Sequence, residues 1–188
     1  MSRDFQSARH WARELIEDAL FPGARAVDAT LGNGHDALWL CERVGEGGLV
    51  YGFDVQPEAL LRSKERLDAA GLLSRARLFL MGHEHMAEMV KEAVDAIVFN
   101  LGWLPGAQHR VTTRAQTTLA AVAQAIDLLR PGGILTVCIY PGHEEGLEER
   151  DALLRWAQSV DPRFDVLHRH YLNQPNHPPE LLAVRRRS

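Results

Sequence analysis

Between residues 26 and 37 the chain reads AVDATLGNGHDA, which places the carboxylate of Asp28, the glycines Gly32 and Gly34 and a second carboxylate, Asp36, in one short stretch. Glycines at such a place allow the positive φ of a tight turn and let a ligand approach the backbone without meeting Cβ atoms. GNGHDA satisfies the dinucleotide fingerprint G-x-G-x-x-A, although Gly and Asn also suit any strand-to-helix connection. The acid at Asp28 tilts the choice, because a carboxylate beside the turn would repel a pyrophosphate. A cationic ligand fits it better. S-adenosylmethionine carries an ammonium and a sulfonium and no phosphate, so Asp28, Thr30, Gly32, Asn33 and Gly34 read as a loop for that donor.

The second acid of interest is Asp54, which ends YGFD. At the close of the second strand it can accept both hydroxyls of an adenosine ribose, a role NAD would use equally. It can also cap the helix that starts at Pro57. Gln56 follows in the same loop and can cover the adenine edge. Further along, NLGWLPG closes another apolar run. An amide oxygen at Asn100, with a nearby backbone carbonyl, can accept the N–H bonds of an amine and aim its lone pair. Trp103 beside it offers a flat platform for a planar base, with a core tryptophan as the alternative.

Elements must hold these residues in place, and the hydrophobic period alternates between strand and helix along the chain. A first helix is expected over 4–20, with Phe5, Ala8, Ala12, Leu15, Ile16 and Ala19 on one stripe. Runs that are apolar on both faces follow at RAVDAT, LVYGFD, RARLFLM, DAIVFNL and GILTVCIY, as in parallel strands sandwiched between helices. Helices are expected near 35–43, 57–70, 84–92, 113–129 and 145–160, with Pro57 in a first turn, Gly71 at a C′ position and Thr113 with Gln116 in a capping box. FDVLHRHYL and ELLAVRR, joined by NQPNHPP, are too close for a crossover and must pair antiparallel. The expected fold is α/β, Rossmann-like: a seven-stranded, mostly parallel sheet with an antiparallel last strand and helices on both faces. Ligands of such sheets bind beyond the carboxyl ends of the strands, where the first loop lies.

The whole chain fits that frame. At 188 residues and 46% hydrophobic it suits a single domain, a covering helix within 1–24 and a core over 25–188. A net charge of −4 excludes the broadly basic surface of a generic nucleic-acid binder. Cys41 and Cys138 sit in apolar runs without zinc spacing and read as buried free thiols. MSRDFQSARHW has no apolar signal region and no run reaches the ~20 residues of a membrane span, so a cytoplasmic protein without membrane contact is expected.

Taken together, VDATLGNGHDA, NLGWLPG, TTLAA, IYPGHEEG and NQPNHPPELLAV resemble the small bacterial class I methyltransferases of the YtqB or MnmM type, the rRNA methylase family. The resemblance runs from the first strand to the last. It implies S-adenosylmethionine as donor, S-adenosylhomocysteine as product and, for characterised relatives, N-methylation of 5-aminomethyl-2-thiouridine at the tRNA wobble position. It assigns Asp28, Gly32, Asn33 and Gly34 to the donor loop, Asp54 and Gln56 to the ribose and adenine, and Gly82 and His83 to the loop after the third strand. It places Asn100 to Pro105, including Leu101 and Trp103, on the substrate side. Where relatives often read Gly-Gly-Asp after LPG, this chain has Gly106, Ala107 and Gln108, without the acid.

Methyl transfer to an amine needs that amine neutral, and His143 in YPGHEEG is a candidate proton acceptor, with Tyr140 beside it on the substrate side. His35, His83, His85, His109 and His177 are expected on the same carboxyl face, where only His83 and His85 are close and no cysteine joins them, so no metal site is read. His109, Arg110, Arg114 and the amides Asn173 and Asn176 suit the unstacked bases of a tRNA anticodon stem-loop. The terminal RRRS reads as a solvated tail. A homodimer is compatible with the sequence but not fixed by it. An rRNA or small-amine substrate, an NAD(P)-dependent oxidoreductase and a non-catalytic RNA-binding module stay open as alternatives.

Overall fold

A computed structural model describes residues 6–102 and 113–188. The strands are β1 (Arg25–Asp28), β2 (Leu49–Asp54), β3 (Ala76–Leu80), β4 (Val94–Asn100), β5 (Leu129–Ile139), β6 (Phe164–Arg169) and β7 (Glu180–Arg186). They form one sheet in the order β3-β2-β1-β4-β5-β7-β6. β7 runs antiparallel to both its neighbours, β5 and β6. The expected reversal of the last strand is therefore present.

Alternation along each strand divides the core between the two faces. Ala26, Val50, Ala96, Val98 and Ile134 pack under α1 (Ala8–Glu17), α2 (His35–Val44) and α3 (Pro57–Ala69), together with Ile16, Leu40, Cys41, Val44 and Leu67. Their neighbours Val27, Tyr51, Ile97, Phe99, Leu135 and Val137 face the other way. There they meet Met86 of α4 (Met86–Met89), Val122 and Ala125 of α5 (Ala115–Leu128) and Leu153 of α6 (Glu144–Gln158). The inner strands β1, β2, β4, β5 and β7 bury both sides, which is why their sequence runs are apolar, whereas the edge strands β3 and β6 stay partly exposed.

Four local expectations change. The first helix ends at Glu17, with Ser7 accepting from the His10 N–H at its start. The helix expected over 84–92 is a 3-10 turn, His83–His85, followed by the single turn of α4. β5 begins at Leu129 opposite Val94, and residues 130–133 bulge before Ile134 resumes pairing opposite Ala96. The capping box is not formed: Arg114 stands at the cap, while Thr113 Oγ1 accepts from Gly102 N at 3.0 Å and donates to Glu149 Oε2 at 3.0 Å. A tertiary partner has taken the hydroxyl from the helix end.

Candidate active site

Strand order reverses at β1, whose two neighbours are β2 and β4. A cleft of about 280 Å³ opens at the carboxyl ends there, lined by Arg9, Thr30, Leu31, Gly32, Asn33, His35, Asp36, Asn100, Leu101, Gly102 and Tyr140. Gly34 starts α2 at φ 74°, and a Cβ there would stand 2.7 Å from the Ser63 Cα. The conformation and the close approach of α3 both demand glycine.

The loop is fixed from several sides. Asp54 Oδ2 accepts from Gly32 N at 2.9 Å and Oδ1 from Gln56 N at 3.0 Å, so the second strand end holds the first loop. Arg62 Nη1 donates to Asn33 Oδ1 at 2.9 Å and Arg66 Nε to the Asn33 carbonyl at 2.8 Å. His83, buried and edge-on to Phe99, faces the Ala29 carbonyl through Nδ1 at 3.2 Å. Burial lowers the His83 pKa, which favours the neutral ring with Nδ1–H donating. Gly82 has Glu84 where a Cβ would stand.

Asp28 behaves differently from its expected role. It is fully buried beneath the loop, outside the cleft lining, with Oδ1 accepting from Thr30 N at 3.1 Å. Burial, then the nearby Asp36 charge, push its pKa up to about 8, so at neutral pH it is mostly a neutral acid. Its Oδ2 has no hydrogen-bond partner among the described residues. Recognition of a cation by a standing negative charge at Asp28 is thus not what the folded chain presents.

Asn100 lies across the cleft from this loop. Its N–H donates to Thr30 Oγ1 at 2.7 Å, and its Nδ2 donates to Asp36 Oδ2 at 2.5 Å. Asp36 in turn accepts from Arg9 Nη2 at 3.0 and 3.2 Å and from Arg13 Nη2 at 2.8 Å. The Asn100 Oδ1 is buried with no partner among the described residues. An oriented acceptor therefore stands at the switch point of the sheet.

The cleft brings together Thr30, Gly32, Asn33, Asn100, Leu101 and Tyr140 of the expected site residues. Leu101 is buried and donates its N–H to the Cys138 carbonyl at 3.1 Å, while burial pushes the Tyr140 hydroxyl up to about 12. Asp54 and Gln56 lie behind Gly32, outside the lining. His143 caps α6, accepting from Gly146 N at 3.0 Å, and it too is outside the lining. Asn173 and Asn176 are exposed in the β6–β7 connection and do not reach the cleft. Trp103, Pro105, Gly106, Ala107, Gln108, His109 and Arg110 lie outside the described residues. Arg9, Arg13 and the structural partner role of Asp36 were missed. The available signal was a pair of arginines at i and i+4 on the first helix, with a second acid in the glycine loop.

A family model described as "Putative rRNA methylase" matches residues 50–185. The chain belongs to that family. It is 36% identical to a protein described as a "putative rRNA-methylase" from Clostridium thermocellum, covering 97% of this chain and 99% of that one with a TM-score of 0.94. A methyltransferase described as "putative" from Streptococcus mutans, solved in complex with S-adenosylhomocysteine, is 32% identical over 97% of this chain and 99% of that one, with a TM-score of 0.88. The chloroplastic tRNA (mnm(5)s(2)U34)-methyltransferase of Arabidopsis thaliana is 35% identical over 158 residues, 79% of this chain and 58% of that protein. The chain thus spans a little over half the length of that curated relative. By family and fold it is a class I methyltransferase, with S-adenosylmethionine the donor. No helix among the described residues is long and apolar enough to cross a membrane, and they hold no group of three or more potential metal-ligating His, Cys, Asp or Glu side chains.

Proposed function

We propose that the chain N-methylates tRNA, converting wobble 5-aminomethyl-2-thiouridine to its 5-methylaminomethyl form. The supporting observation is the Asn100 amide in the cleft lining, whose nitrogen is committed to Asp36 and whose oxygen is buried without a partner among the described residues. The name of the Arabidopsis relative supports the choice of base.

The residues present fit the donor. Asp54 keeps a lone pair on each oxygen for a ribose hydroxyl, and Gly32 and Gly34 leave the backbone open. S-adenosylmethionine, when bound, supplies a methyl group on positively charged sulfur. The chain then needs only to present a neutral amine in line, and alignment of this kind is worth up to ~7–11 kcal/mol in favourable intramolecular cases. Asn100 Oδ1 accepts an amine N–H and fixes the direction of the lone pair. Transfer would exchange the S–C bond for an N–C bond, and the chain would then have to take a proton from the nitrogen. His35 lines the cleft, and partial burial followed by the Arg66 and Arg9 charges lower its pKa, so it is available as a neutral acceptor. His143 at the α6 cap is the second candidate.

Asn100→Ala should bind S-adenosylmethionine nearly as wild type by titration calorimetry and lose at least ~10²-fold in turnover, because misalignment acts on the transition state. The assay substrate is tRNA bearing the 5-aminomethyl group, with 5-carboxymethylaminomethyl tRNA as the control whose amine is already substituted. Methylation of the first and not the second is expected. Donor binding with methylation of ribosomal RNA alone would overturn the choice of substrate.

A further inference from the structure

We infer that Asp36 is a positioning residue that acts through Asn100, held in turn by Arg9 and Arg13, so that α1 completes the site. The inference rests on Asn100 as the acceptor of the reacting amine. Its starting point is that the two ends of an asparagine amide are alike in shape and opposite in hydrogen-bonding sense. Turned the wrong way, Asn100 would face an incoming amine with N–H bonds. Asp36, a carboxylate between two guanidinium groups, can only accept, so the Asn100 Nδ2 must face it at 2.5 Å and Oδ1 must face away.

The carboxylate itself is over-determined. Asp36 Oδ1 accepts from Arg9 at 3.0 Å and Arg13 at 2.8 Å, while Oδ2 receives Asn100 and a longer contact from Arg9 at 3.2 Å. Rotation of the group would break more than one of these contacts. Arg13 is also braced by Trp39, whose ring centroid lies 5.2 Å from its guanidinium carbon. A charge-assisted bond at Nδ2 draws electron density toward the other end of the amide. Oδ1 then becomes a stronger acceptor as the amine nitrogen turns positive, which is a gain made in the transition state.

A double-mutant cycle and an amide spectrum test this on the intact chain with S-adenosylhomocysteine bound. The side-chain 15N–1H signals of Asn100, identified by their loss in Asn100→Ala, should be displaced from ordinary asparagine positions in wild type. They should return toward those positions in Asp36→Ala, and part of the way in the milder Arg9→Met. Turnover on aminomethyl tRNA should fall roughly 10- to 100-fold in Asp36→Ala, with donor affinity within about threefold of wild type. In an Asn100→Ala background, Asp36→Ala should cost less than about threefold more, because the route through Asn100 is already gone. Unmoved amide signals, fully multiplicative losses, or donor affinity falling in step with turnover would each overturn the inference. If wild-type protein leaves aminomethyl tRNA unmethylated, the substrate reading fails by itself, and the amide signals still decide whether Asp36 orients Asn100.

Discussion

Asp54 divides its oxygens between two backbone donors, Gly32 N and Gln56 N, and so arrives at the donor site already oriented. Ribose hydroxyls donating to a carboxylate make charge-assisted bonds worth more than neutral ones. Asp54→Ala should therefore weaken S-adenosylmethionine binding by roughly 2–4 kcal/mol, about thirtyfold or more by calorimetry. The melting temperature must be read beside it, since the same change frees the Gly32 loop. Unchanged affinity in a folded variant sinks the ribose role. Asp28 makes a separate prediction at this scale. Its folded pKa, raised to about 8 chiefly by burial, means that the native state keeps a proton which the unfolded chain loses near pH ~4. Stability must then fall as pH rises through that interval, because the native state binds more protons than the unfolded one. Relative to Asp28→Asn, which carries no such proton, wild-type melting temperature should decline between about pH 5 and about pH 8.5. Parallel melting curves for the two proteins would refute the shift.

At the scale of elements, period and punctuation carried most of the fold. Apolar runs marked the first five strands, and the short β6–β7 connection required an antiparallel pair. The elements that differed did so where a distant partner decides. Thr113 has the local sequence of a cap, but Glu149 and Gly102 claim its hydroxyl. The excursion of β5 at residues 130–133 likewise depends on Val94 across the sheet. The candidate cleft was legible where it is written in short motifs, the glycine loop and Asn100, whereas Asp54 holds that loop from outside the lining. What was not legible is set by docking. The apolar stripe of α1 predicted that the helix covers the sheet, but not that Arg9 and Arg13 on its polar side would meet Asp36. Nor does the sequence state that Asp28 is buried deeply enough to hold a proton.

For the whole molecule, α1 joins the sheet's stability to its chemistry. Ala8, Trp11 and Ala12 cover Cys138 and Leu181, and Trp11 has the Arg169 guanidinium carbon 4.1 Å from its ring centroid and the tilted Tyr171 ring at 5.5 Å. Cys138 pairs in register with Asn100 and passes its carbonyl to Leu101, so the thiol lies one strand from the reacting end of the site. It is 2% exposed and burial pushes it up to about 12, which leaves almost no thiolate near neutral pH. Thiol reagents attack the thiolate of an accessible cysteine, so Cys138 should be inert while α1 is docked. Trp11→Ala removes the largest side chain of that contact and should speed labelling of Cys138 by at least ~10-fold, through more frequent local opening. Cys41, a fully buried residue of α2, should label no faster than in wild type. Turnover should fall in the same variant, because Arg9 and Arg13 ride on the loosened helix. Equal Cys138 labelling in both proteins, measured by mass spectrometry of the modified peptides, would show that α1 covers the sheet without gating it.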